Sequence, residues 1–393
     1  MGLGVYNLAC YRVRRESFRC GRERIHAVVV GLKPLESVPA EDRTRIRSVG
    51  VIGLGNMGSA IARECARAGL SLVVHDSNIE LLETAAREIR ALSTGGEESV
   101  RVVGTAREFR DVDLLIEALP EELALKRSIL VAQDALLRPG AVLATNTSSL
   151  PLAELIKGIG RPERVCGLHF CHPVEERRLV ELIVGPRTSW ETQARGEEFA
   201  RAIGKAPVVV GDGPGFVLNR LLSLYLNEAL DLILEGVELA QLDRVAKCLG
   251  MPCGPLEQLD GFGIPVAVAV GRTLYWAFPE RCRPSELLIA LYKDGRRSRR
   301  ERIRFLVPSD GPSDTPTLDA DARRIIEERR GATRAFSDDE VARRLSSPVA
   351  LEAARIVEDG LVPSEMEIAR VLRLGLGMTG MGRSSLTGMD EPR

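Results

Sequence analysis

The chain has 393 residues, 45% of them hydrophobic and 28% charged, enough to bury a full core and too many for one ordinary domain, so two or three domains are expected. Its 54 Lys+Arg against 55 Asp+Glu give a net charge of -1, so no overall field favours nucleic acid, a membrane surface or an anionic substrate, and any anion must be caught locally. No stretch approaches the roughly 20 uninterrupted apolar residues of a membrane span, so neither a membrane span nor a nucleic-acid partner is expected.

The first 47 residues carry no clear period, and their Arg-rich stretch holds Glu16 and Glu23, so they read as a poorly structured extension rather than a transit peptide. They lack an apolar segment ahead of a small-residue cleavage site. The eight cysteines are scattered, without a Cys-x-x-Cys pair, which suits a reducing compartment and a cytoplasmic location.

Ordered structure is expected to begin at Val49-Gly50-Val51-Ile52-Gly53. From there to Gly213, short apolar runs alternate with helical stretches, the signature of βαβ units and a parallel sheet. Strands are predicted at 48–53, 71–75, 100–103, 113–117, 141–145, 164–169 and 179–184, with one more near 207–210. Around Gly211-Asp212-Gly213-Pro214-Gly215 the chain breaks. Beyond it, Phe216 to Glu235 places apolar residues at i, i+3 and i+4, which opens a helical domain over 214–292. Residues 293–335 combine an Arg-rich run with Pro308-Ser-Asp-Gly-Pro-Ser-Asp-Thr-Pro316 and read as linker. Helical periodicity returns in a second helical segment over 336–393. The organisation is thus a Rossmann-type α/β domain at 48–213 followed by an all-α region.

Gly53-Leu54-Gly55-Asn56-Met57-Gly58 follows the first strand and opens a helix, and Asp76 closes the next strand 23 residues after Gly53. In that context a GxGxxG is a dinucleotide fingerprint. Gly53 permits the turn, Gly55 lets a pyrophosphate approach the backbone and Gly58 lets helix pack on strand. Asn56 and Met57 place the helix N-terminus at the phosphates. Asp76 is positioned for the ribose hydroxyls and repels a 2′-phosphate, so the expected cofactor is NAD.

Only four histidines are present, and His169 falls at the C-terminal end of a predicted strand, where open α/β sheets place their sites. Glu181, twelve residues on, lies inside the apolar run 179–184, where a lone carboxylate is costly unless paired. An imidazole held by a carboxylate has its tautomer fixed and its basicity raised, as abstraction of a hydroxyl proton requires. Cys166, His169, Cys171 and His172 could be drawn as a zinc site. Strand alternation sends 166 and 169 to opposite faces and no second Cys/His pair follows at finger spacing, so no metal is expected. Tyr275-Trp276 and Phe278 read as core or dimer contact, and the basic run Lys293 to Arg304 as solvated linker.

Asn146-Thr-Ser-Ser-Leu150, His169-Phe170-x-x-Pro173, Leu179-Val-Glu181 and Pro214-Gly-Phe-Val-Leu-Asn-Arg-Leu-Leu222, in that order and spacing, resemble the successive motifs of the L-3-hydroxyacyl-CoA dehydrogenases. Ile116-Glu117-Ala118 with Glu121 and Lys126, and Gly254-Pro-Leu-Glu-Gln-Leu-Asp260, extend the resemblance over residues 48 to 292. Residues 337–380 resemble the second helical repeat of the multifunctional fatty-oxidation enzymes.

The resemblance implies a helical domain like the C-terminal domain of 6-phosphogluconate dehydrogenase, an acyl-CoA substrate, and a homodimer, with other fatty-oxidation enzymes as further partners. It implies His169 as general base oriented by Glu181. It implies Ser148 and Asn219 on the substrate oxygens, and Glu121, Lys126 and Asn146 beside the cofactor. The expected reaction is NAD-dependent oxidation of an L-3-hydroxyacyl-CoA to the 3-oxoacyl-CoA in fatty acid β-oxidation.

Three departures stand against the pattern. His172 replaces the family's Asn, Asp113 follows Asp76 by only 37 positions, which shortens the arm that covers the CoA adenine, and the stretch 293–335 is long and basic. Three alternatives stay open. One is a dehydrogenase of a non-CoA 3-hydroxyacid or sugar acid on the same fold, and another is a silent NAD-binding scaffold subunit. The third is a 3-hydroxyisobutyrate-type enzyme, whose helical lysine has no counterpart in 215–235.

Overall fold

The computed structural model describes residues 45–297, 304–307 and 317–378, together with two short strands, β1 (Glu16–Cys20) and β2 (Glu23–Ala27). These two pair antiparallel, so the segment expected as a poorly structured extension carries a hairpin.

The main sheet is built from β3 (Ser48–Ile52), β4 (Ser71–His75), β5 (Val100–Val102), β6 (Leu114–Glu117), β7 (Val142–Thr145), β8 (Val165–Phe170), β9 (Leu179–Val184) and β10 (Ala206–Gly211). Their spatial order is β10-β9-β8-β7-β6-β3-β4-β5. Strands β3 to β8 are parallel, as the alternating pattern predicts. The all-parallel expectation fails at the far edge, where β9 runs antiparallel to β8 and β10 parallel to β9. Only residues 171–178 join β8 to β9, too few for the crossover that a parallel pair needs. Chain order reverses between β3 and β6, and the C-terminal ends of those two strands form the crevice where such sheets bind ligands.

Strand alternation divides the core. Val49, Val51, Leu114, Ile116 and Leu168 face one side and pack with α1 (Asn56–Arg67), α2 (Ile79–Leu92) and α5 (Trp190–Ala202). Ile52, Leu115, Leu143, Leu179 and Ile183 face the other, toward α3 (Leu123–Leu136), α4 (Leu152–Leu155) and the helical region.

That region runs through α6 (Leu218–Leu234), α7 (Leu239–Cys248), α8 (Pro255–Phe262), α9 (Ile264–Ala277), α10 (Glu286–Arg297), α11 (Ala320–Arg329), α12 (Asp338–Glu358) and α13 (Glu365–Leu376). Part of the expected linker 293–335 is therefore helix. Arg-rich composition masks the apolar stripe of α11, whose Ala322, Ile325 and Ile326 lie at i, i+3 and i+4 and are buried. The chain before α11 is pinned as well, because Asp260 accepts from the amides of Phe305 and Leu306 at 2.7 and 2.8 Å. The Pro308–Pro316 run and residues 298–303 of the basic run lie outside the described residues. The second helical segment docks on the same chain: Arg344 on α12 pairs with Glu228 on α6 and with Glu235 at its end, and Arg370 on α13 donates to the Pro207 carbonyl at 3.2 Å.

Candidate active site

The glycine loop between β3 and α1 has the shape that the fingerprint predicts. Gly53 adopts φ +90°, and a Cβ there would lie 2.8 Å from the Ala118 carbonyl, which follows β6 across the crevice. A Cβ on Gly58 would lie 1.8 Å from the Gly53 carbonyl, so only glycine lets α1 begin here. Around Gly55 there is nothing within 4 Å of a built Cβ. The helix beginning at Asn56 and Met57 presents amides without intrahelical acceptors toward that open space, a cradle for the two phosphates of a dinucleotide. Asp76, just past β4, takes the Leu54 amide on Oδ2 at 2.7 Å and the Asn78 amide on Oδ1 at 2.8 Å, so its carboxylate is fixed at the edge of the cradle.

Across the switch point, Lys126 on α3 is fully buried, and its Nζ donates to Glu117 Oε1 at 2.9 Å and to the Asn146 carbonyl at 3.1 Å. Glu117, also fully buried, accepts further from Thr145 Oγ1 at 2.6 Å and from the Leu119 amide at 2.7 Å. Asn146 in turn accepts the Phe170 amide on Oδ1 at 3.2 Å, joining the end of β7 to the end of β8. Glu121 Oε1 gathers the hydroxyls of Thr147 and Ser148 and the amides of Ser148 and Ser149, each at 2.8–2.9 Å. The loop after β7 is thereby wrapped around one carboxylate oxygen.

His169 and Glu181 are direct partners in the β8–β9 register, and Nδ1 lies 2.6 Å from Oε2. Glu181 is fully buried, and its Oε1 accepts the amides of Val217 and Leu218, both at 3.0 Å, at the start of α6. Facing a carboxylate, Nδ1 carries the ring proton as donor, which leaves the lone pair on Nε2. Phe216, at φ +50°, is held in the left-handed region and places its ring 5.8 Å from the imidazole. One residue into α6, Asn219 Nδ2 donates to the Ser148 carbonyl at 2.7 Å. The four residues singled out for chemistry therefore converge on the start of one helix.

Burial keeps the neighbouring thiols protonated, pushing Cys166 up to about 12 and Cys171 higher still. His172 is half-buried in the β8–β9 connection. Phe278 is buried beneath the guanidinium groups of Arg220 and Arg281, whereas Tyr275 and Trp276 are exposed on α9. The sequence places Glu117 and Lys126 in one motif beside the cofactor without showing that they pair, and it assigns no role to Phe216 or Thr147. Phe216 could have been found only from the Gly215 turn that precedes α6.

Two family models match the chain: the 3-hydroxyacyl-CoA dehydrogenase NAD binding domain over residues 48–213, and the C-terminal domain of the same family over residues 215–307. Among solved structures, FadB2 of M. tuberculosis is 34% identical, with a TM-score of 0.60 over 64% of this chain and 95% of that one. The (S)-3-hydroxybutyryl-CoA dehydrogenase PaaH1 of Ralstonia eutropha is 31% identical, with a TM-score of 0.59 over 64% and 94%. The 3-hydroxybutyryl-CoA dehydrogenase of Escherichia coli shares the fold over more of the chain, with a TM-score of 0.70 over 85% and 90% at 24% identity.

Proposed function

The chain belongs to the 3-hydroxyacyl-CoA dehydrogenase family, NAD-dependent oxidoreductases, and on that premise we propose that it oxidises an L-3-hydroxyacyl-CoA to the 3-oxoacyl-CoA. The observation that carries this reading is the 2.6 Å His169–Glu181 pair with Glu181 anchored on the start of α6. His169 Nε2 takes the proton from the substrate's 3-hydroxyl, and Glu181 stabilises the imidazolium that results. Ser148 Oγ would turn its hydrogen from Glu121 to the oxygen of that hydroxyl, and Asn219 turns its remaining amide hydrogen to a substrate oxygen. When bound, NAD would supply the hydride acceptor for oxidation at C3. Gly53, Gly55, Asn56, Met57 and Gly58 would hold its pyrophosphate and Asp76 its adenosine ribose. Glu121, Lys126 and Asn146 would flank the nicotinamide end. Phe216 and the surrounding core keep His169 at 6% exposure, which limits access of water to the base.

We place the reaction in fatty acid β-oxidation and propose a homodimer that uses Tyr275 and Trp276, exposed near the end of α9. One observation favours a second substrate class. Helix α2 ends at Leu92 and β5 starts at Val100, with only a short turn between them, so no helical arm extends there to cover a CoA adenine. A 3-hydroxyacid without CoA fits that architecture. NADH formation, followed by absorbance with CoA esters of several chain lengths and with the matching free acids, separates the two.

A further inference from the structure

Three consecutive residues at the start of α6 are gripped from three directions. The Leu218 amide donates to Glu181, the Asn219 side chain donates to Ser148, and the Arg220 guanidinium turns away from both toward α12. Arg220 is 1% exposed and its partner Glu352 is fully buried. Arg220 Nε pairs with Glu352 Oε1, and its Nη2 lies 2.6 Å from Asp359 Oδ2 at the end of α12. The second oxygen of Glu352 faces Arg281 and Arg355, each at 3.3 Å. The stack of Arg220 and Arg281 on Phe278 closes the cluster. The chain after α12 also reaches the end of β10, where the Gly211 amide donates to the Leu361 carbonyl at 2.7 Å.

A buried ion cluster of this kind adds little net stability over well-packed apolar groups, yet it fixes one arrangement, because any other leaves a charge unpaired. Here it fixes the axial position and rotation of the first turn of α6. That turn carries the two amides on which Glu181 rests and the amide side chain that ties down the Ser148 loop.

We propose that Glu352, in the second helical segment, is a positioning residue for the active site, acting through Arg220 and the first turn of α6 on Glu181 and so on His169. The inference rests on the reading of His169 as the base. It adds that the second helical segment completes the site, although none of its described residues hydrogen-bonds His169 or Glu181.

The test compares full-length wild type, E352Q and E352D at a temperature well below melting. In E352Q, kcat per folded enzyme should fall about tenfold, as a small misplacement of a base does, with KM for NAD unchanged. Amide exchange at Val217 and Leu218 should accelerate relative to the amides of α1. E352D, which keeps the charge, should recover most of both. Wild-type kcat together with wild-type exchange at those two amides in E352Q would overturn the proposal. If E352Q does not fold, D359N, which removes the other carboxylate on Arg220, takes its place with the same two readouts and a smaller expected loss. Absence of turnover in the wild type would instead refute the base assignment, and the exchange measurement would still decide whether Glu352 holds the α6 turn.

Discussion

Glu181 stands directly opposite His169 across the antiparallel β8–β9 pair, and its second oxygen is held by two amides at the start of α6. The sheet therefore sets the separation of the pair, while the helical region sets the orientation of the carboxylate. Chemistry at this site depends on both domains.

H169Q should lower kcat by about 10²–10⁴-fold while NAD binding persists, the range expected when a general base is removed. The glutamine fits the space and its amide can still reach Glu181, so the melting temperature should change little. E181Q should lose about a hundredfold or more, because an amide can hold the wrong tautomer. Steady-state kinetics beside a calorimetric NAD titration checks both, and a kcat within a few-fold of wild type in either variant would refute the assigned roles.

G55A and G58A should behave oppositely in the absence of NAD. A Cβ on Gly55 meets nothing within 4 Å, so G55A should melt like wild type and bind NAD weakly, since the methyl occupies the path of the pyrophosphate. A Cβ on Gly58 lies 1.8 Å from a backbone oxygen, so G58A should be destabilised with or without cofactor. Melting curves with and without NAD distinguish the two cases.

K126M should cost about 3–5 kcal/mol, because it strands the fully buried Glu117 carboxylate without its cation. Denaturant unfolding measures this loss, and a change below about 1 kcal/mol would show that water reaches Glu117.

Asp212 caps the start of α4, accepting the amides of Leu152 and Ala153 at 2.6 and 2.7 Å, and burial raises its carboxyl from 3.8 to about 6. The folded state therefore keeps this proton to higher pH than the unfolded chain does. Between those two values the native form binds more protons, so this group's contribution to stability is fully present below about pH 4 and is lost as pH rises through about 6. The change amounts to about 3 kcal/mol across the window. D212N should flatten that slope. Unfolding free energies measured from pH 4 to 7 on both proteins would contradict the assignment if the two slopes coincide.

Much of this was legible in the sequence, for identifiable reasons. The eight strands of the main sheet and the glycine loop declare themselves through short apolar runs bounded by turns, and His169 and Glu181 through their rarity and their place in apolar strands. The reversal of β9 was legible only in the short connection after β8, which leaves no room for a crossover, because a strand buried on both faces reads the same in either direction. Helix α11 was hidden by its arginines, and the hairpin at Glu16–Ala27 by the absence of any apolar period. Arg220 lay within a recognised motif, but its partner Glu352 is 132 residues away, and no local pattern links a charge on one helix to a charge on another. Phe216 was missed because a positive φ at a non-glycine residue has no sequence signature of its own.

The most direct measurement is NADH formation by the purified chain with saturating NAD and a series of L-3-hydroxyacyl-CoA esters, run in parallel with H169Q. The account predicts turnover with at least one ester and its near-complete loss in the variant, with NAD still bound. A wild type that binds NAD yet oxidises none of the esters, or a variant as active as the wild type, would contradict it.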